Sequence, residues 1–329
     1  MAQVVVITGA SAGVGRATAK AFARQGACVA LLARGRDGLA GAYEDVIRAG
    51  GEALVIPTDV ADPVQVLTAA ARVVEAWGRI DVWVNNATVT VFAPFMQVTP
   101  EEYQRVTDVT YLGTVYGTMA ALRHMSARNQ GTVVQVGSAL AYRGIPLQSA
   151  YCGAKHAIQG FTESVRAELI HDHSDVRITM VQLPALNTPQ FEWNRAKLPR
   201  APQPVPPIYQ PEVAARAIVW AARHAPREVN VGAMTSVVIN GNKLLPGVGD
   251  WYLGRTGYDS QQTDTPLPPG RPDNLFRPVP GDHGAHGPFD DRAGSHSPQL
   301  FARMHRPTMM LAILGLALGA RVVGRMARP

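Results

Sequence analysis

Tyr151-Cys152-Gly153-Ala154-Lys155, with Ser138 thirteen residues before the tyrosine, is the stretch of this chain best equipped for chemistry. On a helix, Tyr151 and Lys155 stand one turn apart and share a face. An ammonium beside a phenol favours the phenolate, so the tyrosine pKa is expected to fall toward working pH. At its free value of about 10 a phenol exchanges protons poorly near neutrality; with a lowered value it serves as general acid and base. Ser138 can supply a hydroxyl beside it. Alone, Y-x-x-x-K is a weak signal, because Tyr and Lys at this spacing are common on solvated helix faces. Its weight comes from the elements that would position it.

The first of these is the β-branched run Val4–Ile7, which suits a strand buried on both faces of a parallel sheet. Thr8-Gly9-Ala10-Ser11-Ala12-Gly13-Val14-Gly15 follows, and Arg16–Gln25 reads as a helix. Strand, glycine-rich turn and helix together present backbone N–H groups and a helix N-terminus to a phosphate. Gly9 allows the sharp turn, Gly13 the approach of a pyrophosphate, and Gly15 the close packing of helix on strand. The spacing is G-x-x-x-G-x-G rather than the dinucleotide fingerprint G-x-G-x-x-G. A second strand, Ala27–Ala33, ends in Arg34. Dinucleotide-binding folds place an acid near here for the ribose 2′-hydroxyl, or an arginine for a 2′-phosphate. Ala33 and Arg34 stand in place of the acid, so NADP(H) is favoured over NAD(H), with Arg16 as a second charge for the phosphate. The competing reading of Arg34 is an ordinary solvated loop charge.

Further strands are expected at Ala53–Pro57, Ile80–Val84, Gly131–Val136, Arg177–Leu183 and Val229–Val231. Helical spacing runs over Val64–Trp77, from the Thr99 cap to about Met125, through the segment bearing Tyr151, and over Pro211–Arg223. This alternation predicts an α/β fold, a Rossmann-type doubly wound parallel sheet. Asn85-Asn86-Ala87 closes a strand where such sheets bind ligands.

The composition narrows the class. The 329 residues, 47% of them hydrophobic, allow one large domain with an extension. Cys28 and Cys152 give no disulfide framework and no metal pair, and fit a reducing, cytoplasmic setting. Of the net charge of +6, five units come from Arg303, Arg306, Arg321, Arg325 and Arg328 in the last 29 residues, which hold no acid. The body is near neutral and lacks a basic stripe with aromatics, so nucleic-acid binding is disfavoured. No metal is expected. The N-terminus lacks the basic region and long apolar run of a signal peptide.

Taken together, Thr8–Gly15, Asp59-Val60, Asn85-Asn86-Ala87, Ser138 and Tyr151-x-x-x-Lys155 resemble the short-chain dehydrogenase/reductase family over roughly residues 1–235. The resemblance implies an NAD(P)-dependent enzyme interconverting alcohols and carbonyls on small molecules. Tyr151 would be the acid/base. Lys155 would lower its pKa and hold the nicotinamide ribose, and Ser138 would bind the substrate oxygen. Gly9, Ser11, Gly13, Val14 and Gly15 would form the cofactor turn, with Val60, Asn86, Ala87 and Pro184 also at the cofactor. Asp59 would meet the adenine and Thr188 the carboxamide. Ala33-Arg34 is similar to the pair in NADP-preferring members. The resemblance also implies a homo-oligomer, paired through the tyrosine helix and the one before it. Three departures stand out: Thr88 and Ala185 replace glycines, and Thr110 replaces an asparagine that helps hold a water linking the lysine to solvent. Thr110 favours a rival reading, a catalytically weak NADP(H)-binding regulatory or scaffold protein; intact Ser138, Tyr151 and Lys155 oppose it.

Three regions lie outside that core pattern, and the expected division is 1–245 for the catalytic domain, 246–306 for an extension and 307–329 for a tail. Gln190–Gln210 carries Phe191, Trp193 and many prolines, which reads either as an apolar substrate loop or as a stiff lid. The extension is rich in Pro, Gly and His and is read as packed on the surface or disordered, with Trp251-Tyr252-Leu253 and Phe276 as anchors. Asp282-His283 and His286 within it are read as a solvated polar loop. Residues 308–320 carry no charge and would span about 20 Å as a helix, or about 25 Å through Gly324, with arginines on both sides. Membrane contact through 308–324 is expected, against a buried helix or an oligomer contact.

Overall fold

The computed structural model describes residues 2–305. Seven strands form one sheet: β1 (Val4–Thr8), β2 (Cys28–Ala33), β3 (Glu52–Pro57), β4 (Val82–Asn85), β5 (Thr132–Ser138), β6 (Arg177–Leu183) and β7 (Glu228–Asn230). They lie in the order β7-β6-β5-β4-β1-β2-β3, and every pairing is parallel. Parallel neighbours require crossovers, and helices supply them on both faces. α1 (Gly13–Ala23) and α2 (Arg36–Arg48) follow β1 and β2; α3 (Pro63–Trp77) follows β3. α4 (Pro100–Val106) and α5 (Gly113–Met125) lie between β4 and β5, and α6 (Ser149–His171) between β5 and β6. α7 (Pro211–His224) precedes β7, after which come α8 (Ala233–Leu244) and α9 (Pro246–Thr256).

The strand period divides the core. Val5 and Ile7 join Phe22, Leu39 and Ile218 in one apolar layer, while Val4 and Val6 join Val66, Trp83 and Ile178 in the other. Both faces of β1 are therefore buried, as its unbroken apolar run requires. The strand order reverses between β1 and β4, and at this switch point the carboxyl ends of the strands open a crevice.

Two polar ties hold that edge in register. The Thr8 hydroxyl accepts from the backbone N–H of Asn86 (2.9 Å) and Ala87 (3.0 Å), and Asn86 Nδ2 donates to the Thr8 carbonyl at 2.9 Å. Beneath them Asn85 is wholly paired: it accepts from Trp83 Nε1 and donates to Thr118 and Gln135. Asn85-Asn86 therefore works as a buried strap between β1, β4 and β5 as well as an edge to the crevice.

The helix expected from Thr99 to Met125 is unbroken but not α-helical throughout. Thr99 and Glu102 form a capping box at its start, but Thr107–Leu112 adopts π-helical turns between α4 and α5. The last 24 residues, including 308–324, lie outside the described residues. Among the described residues no helix is long and apolar enough to cross a membrane.

Gly9 adopts φ +67° and Gly13 φ +55°, conformations that favour glycine. Gly15 has a different constraint: a Cβ there would lie 2.1 Å from the Gly9 carbonyl oxygen and 2.6 Å from Asn86 Nδ2. Gly15→Ala should therefore cost on the order of 1–3 kcal/mol through overpacking of backbone on backbone. Urea unfolding should show a lower midpoint with an unchanged slope; an unmoved midpoint would contradict the close approach of α1 to β1.

Candidate active site

A cavity of about 870 Å³ occupies the crevice. The expected residues converge on it: Ser138, Tyr151 and Lys155 line it together with the Gly9–Val14 turn, Arg34, Asp59, Val60, Asn86, Ala87, Pro184 and Thr188. Gly15 and Thr110 do not. Gly15 serves the packing described above. Thr110 is wholly buried in the π-helical segment, donating to the Val89 carbonyl at 3.1 Å, accepting from Val89 N–H at 3.2 Å and meeting the Thr88 hydroxyl at 3.1 Å. Its hydroxyl thus pins the cavity-lining segment Thr88–Thr90.

Ser138 ends β5, and its Oγ accepts from Leu140 N–H at 3.1 Å, which fixes the turn after the strand. Tyr151 and Lys155 sit in the first two turns of α6. Lys155 is 3% exposed, and its Nζ donates to the Val136 carbonyl at 2.8 Å. The same nitrogen lies 5.5 Å from the centroid of the Tyr151 ring.

The titration of the pair corrects the sequence-based expectation. Burial pushes the Tyr151 phenol above its ordinary value; interaction with the Ser138 side chain pulls it down, and the Cys152 thiol adds to the rise. Burial also lowers the Lys155 ammonium to about 8. The expectation counted the attraction between an ammonium and a phenolate. In an enclosed site desolvation acts on both charged forms, and here it is the larger effect.

The phosphate half of the crevice is also more crowded than the sequence implies. Arg16 is not a second phosphate charge: it is 6% exposed, and its guanidinium is paired with Asp45 (2.9 Å) and Asp282. Asp59 lines the cavity, but its Oδ2 takes Arg105 Nη2 at 2.6 Å. Arg34 lines the cavity and donates to the carbonyls of Asn274, Leu275 and Phe276. Burial lowers the Arg34 pKa, as does the nearby charge of Arg105, while Asp59 opposes them.

Asp282 and the three carbonyls that hold Arg34 belong to a strap, residues 271–287, that lines the crevice. Arg271 bonds the Phe191 carbonyl and Asn194; Asn274 N–H bonds the Trp193 carbonyl at 2.9 Å. Farther along, Gly281 N–H meets Asp37 and the Gly284 carbonyl accepts from Gly13 N–H at 3.1 Å. The anchor of this strap is Leu275, wholly buried; of the residues expected to anchor the region, Leu253 is partly buried and lines the cavity, while Phe276, Trp251 and Tyr252 are about half exposed. The polar run within it is exposed at Asp282 and His286, as expected, and is also tied down. Asp282 holds Arg16, His283 packs against Trp193 with ring centroids 4.4 Å apart, and His286 meets Glu212. No cluster of His, Cys, Asp or Glu among the described residues is fit to hold a metal.

The other end of the cavity is apolar. Phe92, Ile145, Leu186, Phe191, Val237 and Leu245 line it, and the loop Gln190–Gln210 contributes Phe191 and Trp193 to the cavity wall. That loop is tied to α4 through Glu102, which is 3% exposed and accepts from Lys197 (2.8 Å) and Arg195 (3.1 Å). Burial raises the Glu102 pKa, but Lys197, Thr99 and Arg195 outweigh it and hold the carboxyl below its usual range.

The residues fit a dinucleotide cofactor. The first turn of α1 has no side-chain cap, and its residues Gly13 and Val14 line the cavity, although the Gly284 carbonyl takes the Gly13 N–H. Thr188, which also lines the cavity, has a buried hydroxyl without a partner.

Comparison with known proteins agrees with this arrangement. The short chain dehydrogenase family profile matches residues 3–198. An uncharacterized oxidoreductase, YxnA, of Bacillus subtilis (strain 168) is 35% identical over 276 residues, covering 83% of this chain and 78% of that protein. The cis-4-hydroxycyclohexanecarboxylate dehydrogenase of Sinomonas cyclohexanicum is 34% identical over 241 residues, covering 71% of this chain and 94% of its own. Among solved structures, a metagenomic short-chain oxidoreductase in complex with NADP superposes with a TM-score of 0.59 at 27% identity, over 70% of this chain and 96% of the other. An alcohol dehydrogenase from the archaeon Thermococcus sibiricus, complexed with 5-hydroxy-NADP, gives 0.61 at 27% identity with the same coverage. A parallel sheet carrying the glycine turn, and a serine, tyrosine and lysine gathered at its carboxyl edge, therefore place this chain in the short chain dehydrogenase family, as an oxidoreductase that acts between alcohol and carbonyl groups.

Proposed function

We propose that the protein is an NADP(H)-dependent oxidoreductase of apolar alcohols or carbonyls, with Tyr151 as general acid/base. The observation that carries this reading is the convergence of Ser138, Tyr151 and Lys155 on the cavity that the glycine turn also lines. NADP(H), when bound, supplies or accepts the hydride. The uncapped turn of α1 would hold its pyrophosphate, Thr188 its carboxamide, and Arg34 its 2′-phosphate. The protein's own groups manage the oxygen of the substrate. Ser138 and Tyr151 polarise a carbonyl oxygen by hydrogen bonding, and Tyr151 donates the proton as negative charge builds there. Lys155 stabilises the charge left on the phenol. The apolar lining favours a substrate with little polarity away from the reacting carbon. Two NADP-type ligands in the structural relatives support the cofactor choice.

Tyr151→Phe should lower NADPH oxidation with a panel of aliphatic and cyclic ketones by about 10²–10⁴-fold while NADPH binding persists. Undiminished turnover in this variant would overturn the acid/base assignment.

The pH profile follows from the two shifts. Tyr151 stays protonated through the neutral range, so reduction needs no ionisation to supply the proton. Lys155 carries its charge below about pH 8 and loses it above. The kcat/KM for carbonyl reduction should therefore be level below about pH 8 and decline above it. A profile level to pH 10 would contradict this role for the lysine.

Lys155→Met should separate function from stability. A lysine whose folded pKa lies below its unfolded value binds more protons when unfolded, so its burial destabilises the protein below about pH 8. That penalty fades as pH rises from about 8 to the free value of about 10.4. The variant should lose activity yet gain on the order of 1–3 kcal/mol at pH 7, the gain shrinking toward pH 10. Denaturant titrations at the two pH values measure it, and an equal change at both would argue against a buried ammonium.

A further inference from the structure

Three arginines meet the strap or its neighbours in the cofactor half of the crevice, and they are treated differently. Arg16 is neutralised by two carboxylates, Asp45 and Asp282. Arg105 is neutralised by Asp59. Arg34 forms no ion pair among the described residues; its partners are the three consecutive carbonyls of Asn274, Leu275 and Phe276. A carbonyl accepts a hydrogen bond without cancelling the charge of the donor. Nη1 donates to the Leu275 and Phe276 carbonyls and Nη2 to that of Asn274, while Nε–H is left without a partner among the described residues. The guanidinium is thus fixed in place at the cavity wall with its charge intact.

The carbonyls are themselves held. Leu275 is wholly buried in the core, and its N–H donates to Asp273 Oδ1 at 3.0 Å. Asp273 Oδ2 is 2.8 Å from Arg195 Nη2. Asn274 N–H bonds the Trp193 carbonyl, and the Leu275 carbonyl also accepts from Arg105 Nε at 3.1 Å. The turn therefore has a fixed shape before it meets Arg34.

We propose that the turn Asp273–Phe276 is a positioning element for cofactor selection: its carbonyls preorganise Arg34 to receive the 2′-phosphate of NADP(H). The inference rests on the cofactor reading given above. An unrestrained arginine has rotamer entropy to lose when it binds a phosphate. A guanidinium already held by three carbonyls has less to lose, so selectivity for the 2′-phosphate depends on a segment some 240 residues away in the chain. Loss of the turn should weaken NADPH binding while leaving NADH binding nearly unchanged, because NADH has no phosphate for Arg34 to meet.

Dissociation constants of NADPH and NADH for the full-length chain test this through their ratio. The wild type should prefer NADPH by tenfold or more, and Arg34→Ala should abolish the preference. Leu275→Ala and Asp273→Ala should each reduce it about five- to tenfold, chiefly through the NADPH constant. Asp273→Ala leaves the core intact should Leu275→Ala fail to fold, and general loosening of the site would weaken both cofactors alike and leave the ratio unmoved. Arg34→Ala combined with Asp273→Ala should behave as Arg34→Ala alone. A wild type without preference would overturn the NADP(H) reading itself. A wild-type preference that Arg34→Ala abolishes and Asp273→Ala leaves whole would overturn the proposed role of the turn.

Discussion

The structure depends on one buried charge. Lys155 is enclosed at the carboxyl edge of the sheet, and its ammonium has the Val136 carbonyl as its protein partner. A cation in such a place is costly unless paired, and a carbonyl offers a hydrogen bond without an opposite charge. The lowered pKa is the measure of that cost. What holds the arrangement is the covalent and packed frame around it. Val136 lies in β5, pinned between β4 and β6, while Lys155 belongs to a 23-residue helix whose buried side packs on that sheet. The frame keeps the ammonium 5.5 Å from the tyrosine ring, where its charge can act on the phenol. Stability is given up locally so that a charge stands where chemistry uses it.

The same logic recurs at the other end of the crevice, with a different solution. Arg16 and Arg105 have carboxylate partners and contribute little net field. Arg34 is oriented by carbonyls and keeps its charge. Lys155 and Arg34 are thus both cations lining the crevice that are held by backbone oxygens. Backbone acceptors can orient a cation while leaving its field available to an anionic or charge-developing partner.

Much of this was legible in the sequence, and the reason is local. The strands of the sheet announce themselves as short apolar runs because a sheet buried on both faces needs nothing else. The glycine turn and the Tyr151–Lys155 pair are recognisable because their geometry requires particular residue types at fixed spacing. The π-helical segment at Thr107–Leu112 was not legible, since its apolar spacing differs little from that of an α-helix over so short a run. The direction of the Tyr151 shift was missed because enclosure, a property of the assembled site, outweighs a neighbouring charge.

The strap was the hardest to foresee, and its chemistry explains why. Residues 271–287 have no helical or strand period, so hydrophobic patterning is silent about them. Their decisive groups at Arg34 and Gly13 are main-chain carbonyls, which every residue carries and no sequence motif marks. The side chains that do specify the path are scattered singly: Leu275 in the core, Asp273 at Arg195, Asp282 at Arg16. Each is unremarkable until its distant partner is known. Arg34 could be read from the sequence as a free loop charge or as a phosphate ligand, and neither reading included the carbonyls that hold it. The site is therefore completed by a segment that follows the last strand of the sheet, where motif reasoning has least to work with and long-range backbone contacts matter most.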